Sequence, residues 1–439
     1  MSLWHRIRKE WFAVVKLGKD ARSVSIVGVG CTPFTNFEDD PQTQGLGEGE
    51  AFAYAALEAM EDCGLAPRDI DYFFHGSANP FMISASLTPN MQVADWIGMR
   101  GKASVHHSEA CCTGYVSIEQ AVMAIASGTY ETVLTGAVDL AATLPVDNAP
   151  AHMRKDFPLE VMLPSIGFVY DRAYGRPLDS AFGISFDNWI NKYVLDYGVS
   201  DEDIDGALIK LAQDLRRAAV LNPLGFYNKS FDEIARENGM TNADEYLHSM
   251  MNPKVTQYLR VSGFETKCDG AAAAILMPTE KAKALGLPAI EVLGTGAAAY
   301  EGATLLNEYQ GTRDGTAQVY ELTQVSPDEI DLMYVNDFFM GGDICAPEEA
   351  GYIPRGEAWQ YARDGRMSFE GDKPVNPHGG RCNFGHAHGA SGLADIYDAV
   401  KQMRGQAGAT QVKRLPKTTF LRGFGGGQNI RCQILRTVD

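Results

Sequence analysis

Residues 24–30, Val-Ser-Ile-Val-Gly-Val-Gly, and residues 289–296, Ala-Ile-Glu-Val-Leu-Gly-Thr-Gly, open two similar cycles of the chain. Each stretch reads as a buried strand that ends in a glycine turn. Both cycles then contain a Pro-x-x-Ile-Asp sequence followed by a further strand, at residues 67–71 and 327–331. This repeat predicts two halves of similar layout within one chain.

Helix and strand patterns alternate after the first of these stretches. Residues 47–63 predict a helix that Gly64 ends, and residues 111–126 predict another. Residues 70–75 and 132–137 predict strands. The alternation favours an α/β fold with a mostly parallel sheet covered by helices.

A middle segment has a different composition, rich in proline, methionine, tyrosine and charge. Within it, Ser200 and Asp203 form a capping-box-like start for a helix. We predict that this segment is an insertion over the sheet. The predicted parts are a basic amphipathic helix (1–21), an N-terminal half (22–141 and 258–288), the insertion (142–257) and a C-terminal half (289–439).

The composition limits the classes of function. A chain of 439 residues with 45% hydrophobic and 21% charged residues is globular, and no apolar run approaches the ~20 residues that span a bilayer. Eight cysteines without a CxxC pair argue against a disulfide scaffold or a structural zinc site and favour the cytoplasm. The net charge of -18 argues against nucleic acid as a partner.

Residues 1–20 differ from this acidic average, because lysine and arginine outnumber Glu10 and Asp20 and apolar residues recur at helical spacing. Three interpretations of this basic amphipathic helix stay open. It packs on its own domain, docks a partner subunit, or serves a membrane surface or targeting role.

Cys111 lies in residues 109–114, Glu-Ala-Cys-Cys-Thr-Gly, where a strand is predicted to pass into a helix. The thiolate is the reactive form of cysteine, and the unpaired N–H groups of a helix start favour it. The local sequence alone is explained better by Cys111 and Cys112 as two inert, buried residues.

Three further stretches carry candidate chemistry. Residues 385–392, Gly-His-Ala-His-Gly-Ala-Ser-Gly, place His386 on a glycine-rich loop, where it can accept a proton from a thiol. Residues 422–428, Arg-Gly-Phe-Gly-Gly-Gly-Gln, can present backbone N–H groups to a negative charge, and lack the Lys-Ser/Thr of a P-loop. Residues 335–339, Val-Asn-Asp-Phe-Phe, end a strand with polar groups.

A metal site formed by His378, His386 and His388 is a weaker alternative. These residues lack the i,i+4 spacing of a helical pair and an obvious carboxylate partner. We therefore predict no metal in this site.

Taken together and in this order, the motifs near residues 111, 270, 336, 386 and 426 resemble those of the thiolase superfamily. The resemblance covers about residues 22–439. Residues 26–34 and 221–223 resemble the sterol-carrier-protein type of thiolase. The resemblance implies a thiolase fold, with duplicated halves in five α-β-α-β-α layers, an inserted loop domain over the acyl-CoA, and a homodimer core.

The resemblance also implies roles for individual residues. Cys111 matches the acylated nucleophile, His386 its base, and Asn336 the residue that holds a water in one oxyanion hole. The backbone N–H groups of Cys111 and Gly425 would form the other. The implied activity is that of an acyltransferase, thiolytic cleavage of a 3-oxoacyl-CoA with coenzyme A as co-substrate and no bound cofactor.

The sequence departs from the family at the second catalytic cysteine. Gly423 stands at that position, and Phe338 matches a position where sterol-carrier-protein-type enzymes place a cysteine. Either another group then handles the enolate proton, or the reaction needs no such proton transfer. The candidates for such a group are Cys382, His388, Asp337 and Cys345. Cys382 is nearest in sequence to the catalytic loop, although it is explained better as a packed turn residue. His388 and Phe338 are also predicted to contact substrate.

Divergent thiolases of this kind commonly pair with a small zinc-binding, OB-fold acyl-CoA protein. One such pair cleaves benzoylsuccinyl-CoA to benzoyl-CoA and succinyl-CoA in anaerobic toluene degradation, and the missing cysteine and the basic N-terminal helix fit that subfamily. Two alternatives remain, a CoA-ester retro-aldolase or condensing enzyme and a non-catalytic acyl-CoA-binding scaffold.

Aromatic residues of the insertion either line a phenyl pocket or belong to the core, which is the better interpretation: Phe168, Tyr170, Tyr174, Phe182 and Trp189. Arginines of the insertion either meet CoA phosphates or are solvated surface charge: Arg172, Arg176, Arg216 and Arg217.

Overall fold

The computed structural model describes residues 21–78, 88–142, 181–300, 310–426 and 428–438. The predicted helix of residues 1–20 lies outside these ranges. So do five residues considered above, which are Phe168, Tyr170, Arg172, Tyr174 and Arg176, and the side chain of Phe182 is likewise outside the described part.

The strands of the described residues form one sheet in the order β3-β2-β4-β5-β1-β6-β9-β8-β7. Their bounds are β1 Val24–Cys31, β2 Tyr72–Gly76, β3 Ala103–His107, β4 Val133–Leu140, β5 Asp269–Pro278, β6 Ile290–Tyr300, β7 Leu332–Val335, β8 Thr418–Gly425 and β9 Gln428–Thr437.

The α-helices of the described residues lie on both faces of this sheet and beside it. Their bounds are α1 Glu48–Cys63, α2 Pro89–Val93, α3 Thr113–Ala126, α4 Ala181–Tyr197, α5 Asp201–Leu221, α6 Phe231–Glu237, α7 Ala243–His248, α8 Thr279–Ala284, α9 Gln310–Thr323, α10 Gly341–Glu349, α11 Ala358–Arg363, α12 Gly380–Asn383 and α13 Ser391–Met403.

The predicted duplication is confirmed by the strand order. The first half runs β1-β5-β4-β2 and the second runs β6-β9-β8-β7. In both halves the first two pairings are antiparallel and the third is parallel. The halves join where β1 pairs with β6, through Ser25 opposite Glu291 and Ile26 opposite Ile290.

The prediction of a mostly parallel sheet is wrong. Among the described strands only the β2–β3, β2–β4 and β7–β8 pairs are parallel. Strand β5 follows the middle segment in the chain, and it lies antiparallel to both of its neighbours in the sheet, β4 and β1. Every residue of β5 is buried, so its continuous run of small apolar residues looks like that of a central parallel strand.

The glycines of the two opening strands do not form turns, which corrects the second detail of the prediction. Strand β1 continues through Gly30, where a Cβ atom would lie 2.2 Å from Ala55 O of α1. Strand β6 continues through Gly296, where a Cβ atom would lie 2.3 Å from Gly315 O of α9. The glycines are therefore needed for close packing of a helix on each strand.

The repeated Pro-x-x-Ile-Asp sequences form equivalent turns. Pro67–Asp69 and Pro327–Glu329 are both 3₁₀ turns. The carboxylate of Asp71 accepts two backbone hydrogen bonds at 3.0 Å from the residues that precede β4. Asp331 does the same at the start of β8, at 2.9 and 3.1 Å. Each aspartate thus fixes the register of two neighbouring parallel strands.

Helices α3 and α13 lie between the two half-sheets, because both contact strands of each half. Helix α1 covers the first half-sheet and α9 covers the second on the outer faces. These layers follow the predicted α-β-α-β-α order. Among the described residues, none of the helices combines the length and apolar character needed to cross a membrane.

The described part of the predicted insertion packs on the C-terminal half. Helices α4 and α5 share a hydrophobic core with α10 and α11. Trp189 is 4% exposed in this core, which fits its interpretation as a core residue. Ser200 caps α5 as the sequence predicts, since its hydroxyl accepts a hydrogen bond from Asp203 N at 3.1 Å.

Candidate active site

Cys111 lies in a tight turn between β3 and α3. Hydrogen bonds from Cys112 N to Glu109 O and from Thr113 N to Ala110 O, both at 3.0 Å, close this turn. Ala110 has a φ of 47°, a left-handed conformation that costs a residue with a side chain about 1–3 kcal/mol. Cys112 is fully buried and Cys111 is partly exposed, so the turn presents the Cys111 thiol to the site.

The Cys111 thiol keeps its proton in the resting protein. Burial raises the pKa of Cys111 well above its ordinary value, and the negative charge of Glu265 raises it further. The expectation that the helix start lowers this pKa is therefore wrong, because loss of solvation and a nearby carboxylate outweigh the backbone N–H groups. The nucleophile consequently needs a base.

His386 is held in place as a neutral base. Its backbone N–H donates to Thr266 O at 2.7 Å, and its carbonyl accepts from Cys268 N at 3.3 Å. Its Nδ1 lies 3.0 Å from Ser391 Oγ, which orients the ring. Burial lowers the pKa of His386 well below its ordinary value, and the neighbouring His388 lowers it further. The imidazole is thus unprotonated in the resting protein, as a base must be.

Glu265 faces His386, and the sequence interpretation missed it. Glu265 Oε2 lies 3.5 Å from His386 Nε2, and its side chain is 19% exposed. A carboxylate oxygen of Glu265 and one ring nitrogen each of His386 and His388 all lie within 4.8 Å of one another. Burial raises the pKa of Glu265 to about 7. The one sequence signal was its place just before the small-residue motif at residues 269–273.

The nucleophile turn and the histidine loop are packed directly on each other. A Cβ atom at Gly114, in the first turn of α3, would lie 2.5 Å from Leu393 N and 2.8 Å from Gly389 O. Asp139, at the end of β4, accepts a hydrogen bond from Gly389 N at 2.7 Å and another from Ala78 N at 2.9 Å. Glycine at 114 therefore lets the starts of α3 and α13 meet.

Asn336 lies where β7 ends and is fully buried. Its Nδ2 donates to Phe424 O at 2.7 Å, and its Oδ1 accepts from Phe338 N at 3.2 Å. The bond to Phe424 uses one of the two amide hydrogens, which leaves the other for a further acceptor. Its water-holding role remains a prediction.

Gly425 closes the site from the end of β8. A Cβ atom there would lie 3.3 Å from the N and Sγ atoms of Cys112 and 3.3 Å from Glu109 O. The predicted glycine run therefore borders the nucleophile turn, as a contribution to an oxyanion hole requires. That contribution remains a prediction.

The space beside Gly423, where the resemblance would place a second cysteine, is filled by the side chain of Tyr115. A Cβ atom at Gly423 would lie 2.5 Å from Cδ2 of Tyr115. Tyr115 is fully buried, and its hydroxyl donates to Asp395. Asp395 in turn accepts a hydrogen bond from Arg381 at 2.6 Å. A cysteine at 423 is therefore excluded by the packing of Tyr115.

The predicted substitutes for that cysteine occupy different places. Cys382 is buried, and its thiol donates to Asp337 O at 3.0 Å. The carboxylate of Asp337 accepts from Arg381 N at 2.6 Å, and burial raises the pKa of Asp337 to about 6. Cys345 lies on α10 beside Trp189. His388 remains with His386, at a ring separation of 5.2 Å.

Phe338 contributes to an aromatic wall beside the histidine. Its ring stacks on that of His386 at 6.3 Å, and it contacts the rings of Phe186 and Phe424 at 4.8 and 5.8 Å. This position is compatible with the predicted contact to substrate.

The three histidines of the metal alternative do not come together. His378 is buried elsewhere, with its Nε2 3.2 Å from Asp395 Oδ1. The sequence showed no sign of a carboxylate near His386 and His388. In the structure, however, the carboxylate of Glu265 lies close to both rings. Burial lowers the pKa of His388 to about 4, so this ring is neutral at physiological pH.

Two arginines considered for CoA phosphates already have partners. Arg216 is buried over the ring of Tyr227 at 3.4 Å and donates to Asn383 Oδ1 at 2.7 Å. Arg217 is more exposed and pairs with Glu370 at 2.7 Å. Arg216 is thus part of the packing rather than a solvated surface charge.

Fold and site together define a duplicated α/β protein with a cysteine on a strained turn and a neutral histidine on the loop that packs against the helix following that turn. Residues 298–435 match the family described as thiolase C-terminal domain-like. An acetyl-CoA acetyltransferase of Methanothermobacter thermautotrophicus is 25% identical over 411 residues, 92% of this chain and 97% of that protein.

The benzoylsuccinyl-CoA thiolase subunit BbsB of Thauera aromatica is 26% identical over 416 residues, 93% of this chain and 96% of that protein. A solved structure, the Ltp2-ChsH2(DUF35) aldolase, has a TM-score of 0.72 at 20% identity and covers 95% of this chain and 98% of its own. Over nearly its whole length the chain is thus similar to proteins of the thiolase superfamily, and it has the thiolase fold.

Proposed function

We propose that this protein cleaves a carbon–carbon bond of a 3-oxoacyl-CoA by thiolysis through an acyl-Cys111 intermediate. The observation that carries the proposal is the packing of the Cys111 turn on the His386 loop, at the Gly114–Leu393 contact. His386 takes the thiol proton, and the thiolate attacks the ketone carbon. Coenzyme A then collects the acyl group, so one difficult displacement becomes two easier steps.

We further propose an aromatic 3-oxoacyl-CoA as substrate, with benzoylsuccinyl-CoA as the first compound to test. The relative BbsB is named for that substrate. The aromatic wall at Phe338, Phe186 and Phe424 supports a flat, apolar acyl group beside the histidine.

A retro-aldolase or condensing enzyme is the second candidate, because the similar solved structure is an aldolase. A retro-aldol cleavage needs a base and an oxyanion hole but no acylated cysteine. The strained turn at Ala110, which presents the Cys111 thiol, therefore favours thiolysis. It also argues against a non-catalytic scaffold that only binds acyl-CoA.

Intact-mass measurement separates these candidates. The protein is incubated with a panel of 3-oxoacyl-CoA esters that includes benzoylsuccinyl-CoA, and the products and any adduct on Cys111 are identified. Thiolysis predicts an acyl adduct that is absent in Cys111→Ser, together with loss of cleavage. Cleavage undiminished in Cys111→Ser would establish the aldolase candidate, and binding without cleavage would establish the scaffold.

We also propose a homodimer core and a small zinc-binding OB-fold partner. The relative BbsB is named as a subunit, and the aldolase structure includes a DUF35 chain. Co-expression with a small zinc-binding OB-fold protein, followed by size-exclusion chromatography, tests whether the complex forms. Deletion of residues 1–20 tests the docking interpretation of the N-terminal helix, because unchanged complex formation rules it out.

A further inference from the structure

The proposed cleavage leaves an enolate on the departing acyl-CoA, and its carbon must receive a proton. No cysteine is available at position 423, where Tyr115 occupies the space. Cys382 points its thiol at the Asp337 carbonyl. The proton therefore has to come from another group beside the nucleophile and the histidine.

We propose that Glu265 is the general acid and base that replaces the second cysteine of this reaction. The proposal rests on the proposed thiolysis and assigns one further catalytic residue to the same site. Its carboxyl lies 3.5 Å from His386 Nε2 and is 19% exposed, so it is directed at the reaction centre and reachable from outside.

The backbone fixes this carboxyl between the two catalytic loops. Glu265 N donates to Phe338 O at 2.8 Å, on the loop that follows Asn336. The next residue, Thr266, accepts the hydrogen bond of His386 N at 2.7 Å and donates to Arg381 O at 3.1 Å. Glu265 is thus held by backbone pairing on both sides, which limits the geometry of its side chain.

Glu265 also acts on Cys111 electrostatically. Among the charged groups around Cys111, Glu265 raises the pKa of this thiol most. The carboxyl therefore lies within electrostatic range of the thiol. Burial raises the pKa of Glu265 to about 7, which suits a group that both donates and accepts a proton near neutral pH.

The proton balance closes with two groups. Cys111 gives its proton to His386, and the thiolate adds to the ketone carbon. The carbon–carbon bond breaks, its electron pair passes to the departing enolate, and Glu265 donates its proton to that carbon. The CoA thiol then returns a proton to Glu265 as its sulfur attacks the acyl-Cys111 thioester. Cys111 leaves as the thiolate and recovers its proton from His386.

The test separates proton transfer at carbon from acylation of the nucleophile. Wild-type protein and Glu265→Gln are incubated with succinyl-CoA or acetyl-CoA in D₂O, and exchange at the α-carbon is followed by NMR. Exchange and 3-oxoacyl-CoA cleavage should fall by on the order of 10²- to 10⁴-fold in the variant. The final yield of acyl-Cys111 that Glu265→Gln forms from the same esters should equal that of the wild-type protein. Glu291→Gln, a partly buried carboxylate between the half-sheets, is the matched control and should keep both activities.

The outcomes distinguish this proposal from the one on which it rests. Absence of acyl-Cys111 in the wild-type protein overturns thiolysis itself. Wild-type acylation with undiminished exchange in Glu265→Gln overturns only the role of Glu265. A divalent cation bound by the wild-type chain in equimolar amount and lost in Glu265→Gln, measured by elemental analysis, overturns it in favour of a metal site. If Glu265→Gln fails to fold, Glu265→Asp carries the test, and its pH–rate profile should move while acylation remains.

Discussion

Replacing Glu265 with glutamine should stabilise the protein at alkaline pH much more than at acidic pH. The pKa of Glu265 rises from an ordinary value of 4.5 to about 7 in the folded protein, because the carboxyl is buried. Between these two values the unfolded chain releases its proton while the folded chain retains it. Stability from this group is therefore complete below pH 4.5 and is lost as the pH rises through 7.

The size of the effect follows from the same two values. Each pKa unit corresponds to about 1.4 kcal/mol, so the ionised carboxylate costs the folded protein about 3 kcal/mol at high pH. At pH 5 the cost is below about 1 kcal/mol by the same relation. Glutamine has no proton to lose, so its advantage over the wild-type residue should grow by about 2–3 kcal/mol between pH 5 and pH 8.

Urea denaturation followed by tryptophan fluorescence measures this difference at several pH values. Trp189 is buried beside the site and should report its unfolding. Glu321→Gln removes an exposed carboxylate of α9 and controls for the general loss of one negative charge. A difference between Glu265→Gln and wild type that stays constant from pH 5 to pH 8 would refute the raised pKa and the burial argument behind it.

Three further perturbations test the packing of the site. Gly114→Ala forces a Cβ atom to 2.5 Å from Leu393 N, and should lower the free energy of unfolding by about 1–3 kcal/mol and reduce cleavage. Its control is Gly206→Ala, where no atom lies within 4 Å of the new Cβ, and thermal unfolding should show a gain of about 0.4–1 kcal/mol. Cys382→Ala should leave turnover within a few-fold of wild type, whereas a loss as large as that of Glu265→Gln would make Cys382 the proton donor. Asp139→Ala removes the acceptor of two backbone N–H groups and should cost about 2 kcal/mol in urea denaturation, with lower turnover at saturating substrate.

The sequence predicted the duplication because both halves repeat residues with a specific local role. Asp71 and Asp331 bind the start of a neighbouring strand in the same way, and Gly30 and Gly296 admit a helix. Strand direction could not be predicted, since a strand buried on both faces has the same apolar pattern in either direction.

The site was predicted only in part, for a similar reason. Cys111 and His386 stand in distinctive glycine-rich motifs, which identify them even though they are far apart in the sequence. Glu265 has no such motif, and its high pKa arises from burial by residues distant in the sequence. The direction of the Cys111 pKa was missed because a local rule on helix starts gave no weight to burial or to Glu265.

The ring of Tyr115 beside Gly423 has an evolutionary consequence. A cysteine at position 423 cannot be gained by one substitution, because Gly423→Cys meets that ring at 2.5 Å. Removing the ring first would empty a fully buried site at a typical cost of 3–5 kcal/mol for a large aromatic side chain and would take a partner from Asp395. Each single step is therefore unfavourable, so the effect of a substitution at 423 depends on the residue at 115, which is epistasis. A chain with Tyr115 must therefore obtain the proton from a group elsewhere in the site.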